Sequence, residues 1–509
     1  MLKTKTPHNP LANLGSIITK IREDQRMTQT DLAKKLGTTQ SVIARIEKGE
    51  QNLSTETLSK LSEALDHPIV TFAPQGTVNF RIEGGRKLSG KIKVRTSKNG
   101  TVGVMCAALL NKGTTTIKNA PKIEEVFRIQ EVLESIGVRV EWKGNDLIIA
   151  PPKKISMEKI DKENAAKTRS AIMLMGPLVH EFKKFNLPQA GGCRLGSRTV
   201  KPYFYALERL GVTIATKSDH YEISHTNLSP GEVIMYESGD TATETVLTAA
   251  ARIPGTTVIK FASPNYQVQD VCFYLKTLGV KIEGIGTSTL TVHGKQDIDV
   301  NAEYTVTEDP IEAMSLIAAA IVTKSSIIIE RCAIGFLELE LFKLEKMGFK
   351  YRILKRYKAG NGIAELADIQ TFPSELTALE EHIHAMHPGI NMDNLPFFAV
   401  IATQAKGQTF IHDWSFEERA IYYKELDKLR AETILADPHR FYIKGPTKLK
   451  ATEIVCPPAL RPSVIILIAM LAAEGTSVLR NVYNINRGYE DLAERLNSIG
   501  AKIQTFRDL

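Results

Sequence analysis

A helix that ends in an apolar residue plus glycine and turns back into alternating apolar residues recurs along most of this chain, and it restricts the fold more than any other feature. Gly113-Thr114-Thr115 leads to Ile136-Gly137-Val138-Arg139-Val140, and Gly255-Thr256-Thr257 leads to Leu278-Gly279-Val280-Lys281-Ile282. Further copies end at Leu210-Gly211-Val212, Met347-Gly348-Phe349 and Ile499-Gly500-Ala501. A sixth begins at Gly407 and carries Leu429-Arg430-Ala431 where the glycine would stand. Glycine suits the left-handed position just past a helix, where an ordinary side chain is crowded. Strand-helix-strand units of this kind are too strand-rich for a helical solenoid. They predict α+β domains in which sheets cover buried helices, with the wholly apolar segments Val104 to Leu110, Met314 to Ile321 and Val464 to Ala473 as those internal helices.

The first seventy residues follow another rule. Leu14, Ile17, Ile18 and Ile21 recur at helical spacing; Thr28 can cap a second helix that carries Leu32, Ala33 and Leu36 and stops at Gly37; Thr39 can cap a third with Val42, Ile43 and Ile46. Two short helices around a glycine turn have the spacing of a helix-turn-helix, with Gln40, Ser41, Ala44 and Arg45 toward the DNA. Periodicity breaks from Asp66 through Pro74 and Gly76, which reads as a linker over residues 71–79. Residues 1–76 hold ten Lys/Arg against eight Asp/Glu, a weak charge for a nucleic-acid binder, so a helical bundle kept for protein contacts or dimerisation stays open beside DNA binding.

The chemistry concentrates in Gly191-Gly192-Cys193-Arg194-Leu195-Gly196-Ser197-Arg198. Glycines free the backbone, and neighbouring guanidinium charge favours thiolate over thiol and attracts anions. The other cysteines, Cys106, Cys272, Cys332 and Cys456, stand among apolar neighbours, and none of the five forms a CxxC pair, so neither a zinc site nor a disulfide framework is expected and a reducing cytoplasm fits. No apolar run approaches the length of a membrane span. A net charge of +8 favours anionic partners without specifying them.

Two resemblances sharpen this reading. Met27-Thr28-Gln29, Leu32-Ala33, Val42 to Glu47 and Lys48-Gly49 resemble the Cro-like phage-repressor family over residues 12 to 70; the likeness implies that Gln29 touches phosphate, that Gln40 reads a base edge and that double-stranded DNA is a partner. From Phe80 to Leu509 the repeats and the glycine-rich loop resemble the enolpyruvyl transferases, in particular those acting on UDP-N-acetylglucosamine in peptidoglycan precursor synthesis. That implies two inside-out α/β barrels of three repeats each, one from 80–97 plus 308–509 and the other from 98–307, after the helix-turn-helix domain of residues 1–70. It also implies an active cleft between the barrels, phosphoenolpyruvate and UDP-N-acetylglucosamine as substrates, and no metal or organic cofactor.

Carried over residue by residue, the resemblance makes Lys98 a phosphoenolpyruvate ligand with a part in catalysis, Asn99 a sugar ligand, and Arg169, Arg419, Arg461 and Arg487 cleft cations. Cys193 becomes the general acid, Arg198 the loop arginine that closes on the phosphate, and Asp393 the base on the sugar 3-hydroxyl. These residue types suit the reaction, because a substrate with one carboxylate and one phosphate needs converging cations, and addition to an enol carbon needs an acid and a base. The departures lie on the nucleotide side: Lys201 replaces an acid that helps hold the uridine, Glu237 and Asp240 stand where a diphosphate should lie, Asn265 falls where Glu is usual, and Ala459 replaces an aspartate. A different acceptor, and a transcription regulator with a degenerate transferase-like sensor, therefore stay open beside the active UDP-N-acetylglucosamine enzyme.

Overall fold

The computed structural model describes residues 15, 18–23, 25, 27–51, 53, 55–65, 77–189, 191, 199–385 and 389–507. They divide into two compact units with the boundary between Gly76 and Thr77.

The first unit is helical. Residues 18–23 are helical, followed by α1 (Gln29–Leu36), α2 (Gln40–Glu47) and α3 (Thr55–Ala64). Thr28 and Asp31 form a reciprocal capping box at the start of α1, and Gly37 ends it at φ 65°. Thr39 occupies the cap position of α2, but its side chain caps nothing; its hydroxyl lies 3.0 Å from that of Ser41, which competes for it. Ile18, Leu32, Ala33, Ile43, Ile46, Leu61 and Leu65 make the small core.

Among its described residues the second unit contains six sheets. Three of them surround one core, built from residues such as Phe80, Ile317, Phe397 and Ile466. The first pairs Val78–Glu83 antiparallel with both Thr476–Arg480 and Ile503–Arg507, so the chain's return closes on its own beginning; this strand starts inside the stretch read as linker. The others are built around Ser326–Ala333 and Ala405–His412. The remaining three sheets, around Thr115–Lys118, His220–His225 and Gly255–Lys260, surround a second core containing Val104, Leu174 and Val246.

Each core holds internal helices: α4 (Lys98–Ala107), the helical pair Arg169–Leu174 and Met175–Leu178, and α5 (Asp240–Ala250) in the second core; α6 (Pro310–Val322), α7 (Leu395–Ala402) and α8 (Leu460–Ala472) in the first. Every residue of α6 is buried, which is why its sequence shows no polar stripe. This is the expected arrangement of two inside-out barrels of three repeats each, after a small helical domain. The repeat glycines do what their position requires: Gly137, Gly211, Gly279, Gly348 and Gly500 have φ between 89° and 100°, and Arg430, at the sixth position, takes the same left-handed region at φ 74°.

The two connections between the barrels lie side by side. Ser97 donates its backbone N–H to the carbonyl of Thr307 (2.9 Å), and Asp309 donates to that of Arg95 (2.8 Å). Immediately after its crossing each residue caps an internal helix, Ser97 accepting from Gly100 N and Asp309 from Ile311 N. The barrels therefore meet at a point where two helix N-termini begin.

Candidate active site

Those helix starts position the first functional groups. Lys98 and Asn99 occupy the opening turn of α4, Arg461 the second position of α8, and Arg169 the start of its short helix. Asp393 sits in the turn that enters α7, its backbone N–H donated to Asn391 Oδ1 (2.9 Å). Arg419 and Arg487 lie where strand-to-helix connections return to the cleft. All seven line one cavity of about 410 Å³ to which both barrels contribute.

The charges there are organised around Asp393. Arg461 Nη2 donates to Asp393 Oδ2 at 3.0 Å, and Arg419 Nη1 lies 3.9 Å from Oδ1. Burial pushes the Asp393 carboxyl up, but Arg461 and Arg419, with Lys98, outweigh burial and hold it below its ordinary value. The group is thus charged and able to accept a proton. Arg461 donates also to Tyr489 Oη (2.9 Å). Arg419, 1 % exposed, is gripped from behind by Asp413, which accepts from its Nε and Nη2 at 2.7 Å each and from Tyr423 Oη at 2.6 Å. A fork-on-fork pair of this kind fixes both the position and the plane of the guanidinium.

On the other barrel Asn99 donates to Tyr266 Oη (3.2 Å), and Arg169 Nη2 donates to the carbonyl of Thr199 (2.9 Å). Glu125 is buried in this wall, receives hydrogen bonds from Thr168 and Ser170, and lies 3.4 Å from Arg487 Nε. Burial would raise its carboxyl, yet Lys98 and Arg487 hold it below its ordinary value.

Most of the residues that depart from the family pattern share this cavity, Ala459 beside Arg461 at the start of α8 and the others on the barrel that carries Lys98. Glu237, Asp240, Asn265 and Ala459 line the cavity. Asp240 begins α5 and accepts from Ser263 Oγ (2.5 Å) and Asn265 Nδ2 (2.9 Å); burial, reinforced by the like charge of Asp393, raises its carboxyl. Asn265 caps the following helix, Tyr266–Thr277, and its Oδ1 accepts from Asn391 Nδ2 across the cleft (3.1 Å). Lys201, exposed, opens the helix Lys201–Glu208 and is not among the cavity-lining residues.

Cys193 and Arg198 lie outside the described residues; Gly191 and Thr199 flank them. The described cysteines are all buried, and no group of metal-ligating side chains able to hold an ion occurs among the described residues. Sequence reasoning missed Glu125 and Asp413. The first looks like an ordinary acid at a helix N-terminus; the second carried one signal, its position six residues before Arg419.

In the N-terminal unit, Gln40 Nε2 donates to Gln29 Oε1 (2.6 Å), Gln29 Nε2 to Glu47 Oε2 (2.8 Å), and Arg22 Nε to Glu47 Oε1 (2.6 Å). This chain holds Gln29 and Gln40 side by side at the start of α1 and α2. Gln40, Ser41 and Arg45 are exposed and Ala44 is half-buried.

The family EPSP synthase (3-phosphoshikimate 1-carboxyvinyltransferase) matches residues 82–496, and the family Helix-turn-helix matches residues 18–71. The UDP-N-acetylglucosamine 1-carboxyvinyltransferase of Bradyrhizobium diazoefficiens is 33% identical over 429 residues, covering 84% of this chain and 98% of the relative. That of Treponema denticola is 33% identical over 434 residues, with the same coverage of each chain. Among solved structures, the enolpyruvyl transferase NikO from Streptomyces tendae aligns over 86% of this chain and 100% of its own, with TM-score 0.74 and 23% identity. EPSP synthase from Acinetobacter baumannii follows, covering 85% of this chain and 100% of its own, at TM-score 0.64 and 18% identity.

Proposed function

Because this chain belongs to the enolpyruvyl transferase family, we propose that it transfers the enolpyruvyl group of phosphoenolpyruvate to the 3-hydroxyl of UDP-N-acetylglucosamine and releases phosphate. The observation that carries this reading is the convergence of Lys98, Arg419, Arg461 and Arg487 on one cavity with a carboxylate, Asp393, kept charged among them.

In the reaction the cations bind the carboxylate and phosphate of phosphoenolpyruvate, with Arg169 on the same barrel as Lys98, and Asn99 holds the sugar. Asp393 takes the proton of the 3-hydroxyl as its oxygen bonds to the enol carbon, and an acid delivers a proton to the methylene carbon. The resulting tetrahedral ketal loses a proton from the methyl carbon as its bond to the phosphate oxygen breaks, which restores the carbon–carbon double bond and leaves the sugar enol ether and free phosphate. Cys193 is the proposed acid and Arg198 the residue that closes over the phosphate. In this reading 98–307 forms one functional barrel and 80–97 plus 308–509 the other, and the enzyme works in the cytoplasm; the described residues contain no helix long and apolar enough to cross a membrane.

The helix-turn-helix module is proposed to bind double-stranded DNA through Gln29, Gln40, Ser41, Ala44 and Arg45, supported by the mutual hydrogen bond of the two glutamines at the module's exposed edge, and to offer a surface for homodimerisation. Replacing Gln40 and Arg45 together by Ala should abolish retention of genomic DNA fragments, and retention at wild-type strength would refute this interface.

A coupled phosphate-release assay tests the enzyme. Release that requires both phosphoenolpyruvate and UDP-N-acetylglucosamine, and that stops in Cys193→Ala, supports the proposal; binding of phosphoenolpyruvate without release counts against it. A second reading, an acceptor without a diphosphate, is favoured by the acidic pair Glu237 and Asp240 in the same cavity. Release with such an acceptor, and none with UDP-N-acetylglucosamine, would select it.

A further inference from the structure

The cleft is bridged by a contact that the family pattern does not assign. Glu125 and Arg128 lie one turn apart on one face of the helix Glu124–Ser135, whose apolar side, including Val126 and Ile129, belongs to the second core. Tyr483 and Arg487 lie one turn apart at the short helix Tyr483–Asn486, whose Val482 and Ile485 belong to the first core. The two faces meet at both points: Arg128 Nη2 donates to Tyr483 Oη at 2.6 Å, and Glu125 Oε2 lies 3.4 Å from Arg487 Nε. The outer contact is exposed, whereas the inner one opens on the cavity, with Glu125 5 % exposed.

Glu125 is held from its own barrel independently of this bridge. Its Oε1 accepts from Thr168 and Ser170, and its fully buried Oε2 has no conventional hydrogen bond among the described residues and is left to face Arg487. A carboxylate buried in this way is committed to an opposite charge. The opposite charges are those of Lys98 and Arg487, with Arg487 the one at ion-pair distance, and both are cations expected to bind phosphoenolpyruvate.

We propose that Glu125 is a positioning residue for enolpyruvyl transfer: it holds Arg487 in place across the two barrels, and it does so by competing with the anionic substrate for the same guanidinium. This rests on the enolpyruvyl-transfer reading. The consequence is a division of effects. With the carboxylate present, some anion affinity is given up, and in return Arg487 meets the substrate in one orientation with the barrels already in register.

Glu125→Gln removes the charge, keeps the shape and can still accept from Thr168 and Ser170; Glu125→Asp keeps the charge on a shorter side chain. Calorimetry with phosphoenolpyruvate alone should show Glu125→Gln binding about three- to ten-fold tighter than wild type, while kcat in the phosphate-release assay falls about ten-fold or more. Glu125→Asp should return phosphoenolpyruvate affinity toward wild type and recover part of kcat. A role in folding alone would weaken binding and turnover together. Parallel losses in Glu125→Gln, or values within two-fold of wild type in both measurements, overturn the proposal. If wild-type protein turns over no acceptor, the enolpyruvyl-transfer reading fails, whereas the calorimetric comparison still decides whether Glu125 competes for Arg487. Wild-type protein that binds no phosphoenolpyruvate overturns both.

Discussion

One wall of the cleft, drawn from both barrels, gathers Lys98, Arg419, Arg461 and Arg487 around Asp393 and Glu125, while a second, on the barrel that carries Lys98, presents Glu237 and Asp240 with the neutral Asn265, which accepts from Asn391 of the opposite barrel. On the first wall carboxylates are answered by guanidinium groups: Asp393 by Arg461, Asp413 by Arg419, Glu125 by Arg487. On the second, the described partners of Asp240 are the neutral donors Ser263 and Asn265, and its carboxyl is pushed up where those of Asp393 and Glu125 are pushed down. The difference separates two tasks. The first wall gathers the positive charge an anion needs and keeps Asp393 ionised; the described residues of the second add negative charge instead, so in the proposed reaction its contribution to acceptor recognition rests on hydrogen bonds and shape.

The largest effect that tests this contrast comes from Asp393, the proposed base. Asp393→Asn keeps the shape of the first wall and removes its proton acceptor, so kcat for phosphate release should fall about 10³-fold or more with little change in phosphoenolpyruvate affinity. A loss confined to KM would make Asp393 a binding group and dissolve the division of tasks.

Next is the support behind the first wall. Asp413→Asn takes the bidentate grip off Arg419 and leaves a fully buried guanidinium short of a charge. Stability to denaturant should drop by about 3 kcal/mol, the lower end for removing one partner of a buried pair. In the protein that remains folded, kcat/KM for phosphoenolpyruvate should fall about 10²-fold. Unchanged kinetics in the folded fraction would show that Arg419 orients itself without Asp413.

The second wall is tested by neutralising it. Asp240→Asn should lower KM for UDP-N-acetylglucosamine about five- to ten-fold, with kcat and phosphoenolpyruvate binding unchanged, because one negative charge facing the diphosphate is gone. A rise in KM instead would make Asp240 a ligand of the acceptor and join the two walls into one recognition surface.

How far these walls could be read beforehand follows from what each residue depends on. The helix-end glycines were legible because left-handed backbone selects glycine locally, and even Arg430 was found at its position by counting. Lys98, Asp393 and the cleft arginines were legible through their order along the chain. Glu125 and Asp413 were not, because their meaning comes from partners supplied by tertiary packing: Glu125 gains its role only when a segment of the opposite barrel brings Arg487 against it. The Thr39 side chain fails as a cap for a local reason, since its hydroxyl pairs with that of Ser41 instead of the backbone.

A third kind of carboxylate completes the contrast and supplies the smallest effect. Asp270 is 1 % exposed beneath α4, so close that a methyl group on Gly100 would lie 2.7 Å from its Oδ2. It accepts from Tyr304 Oη, Thr307 N and Thr307 Oγ1, and no cation among the described residues offsets its burial, which raises its carboxyl from 3.8 to about 7. The folded state thus holds a proton that the unfolded chain has released. The associated stability is full below pH 3.8 and is lost as pH rises toward 7, the reverse of Asp393, whose depressed carboxyl contributes above the ordinary carboxylate range and fails as pH falls below it. Asp270→Asn removes the titration while leaving an acceptor for the same donors. Its melting temperature relative to wild type should therefore climb by a few degrees between pH 4.5 and pH 7.5, as read by thermal unfolding across that range. A difference independent of pH would mean that Asp270 stays ionised in the folded protein. It would then join the acids of the first wall, and the missing counter-charge would have to lie among the neighbours of α4.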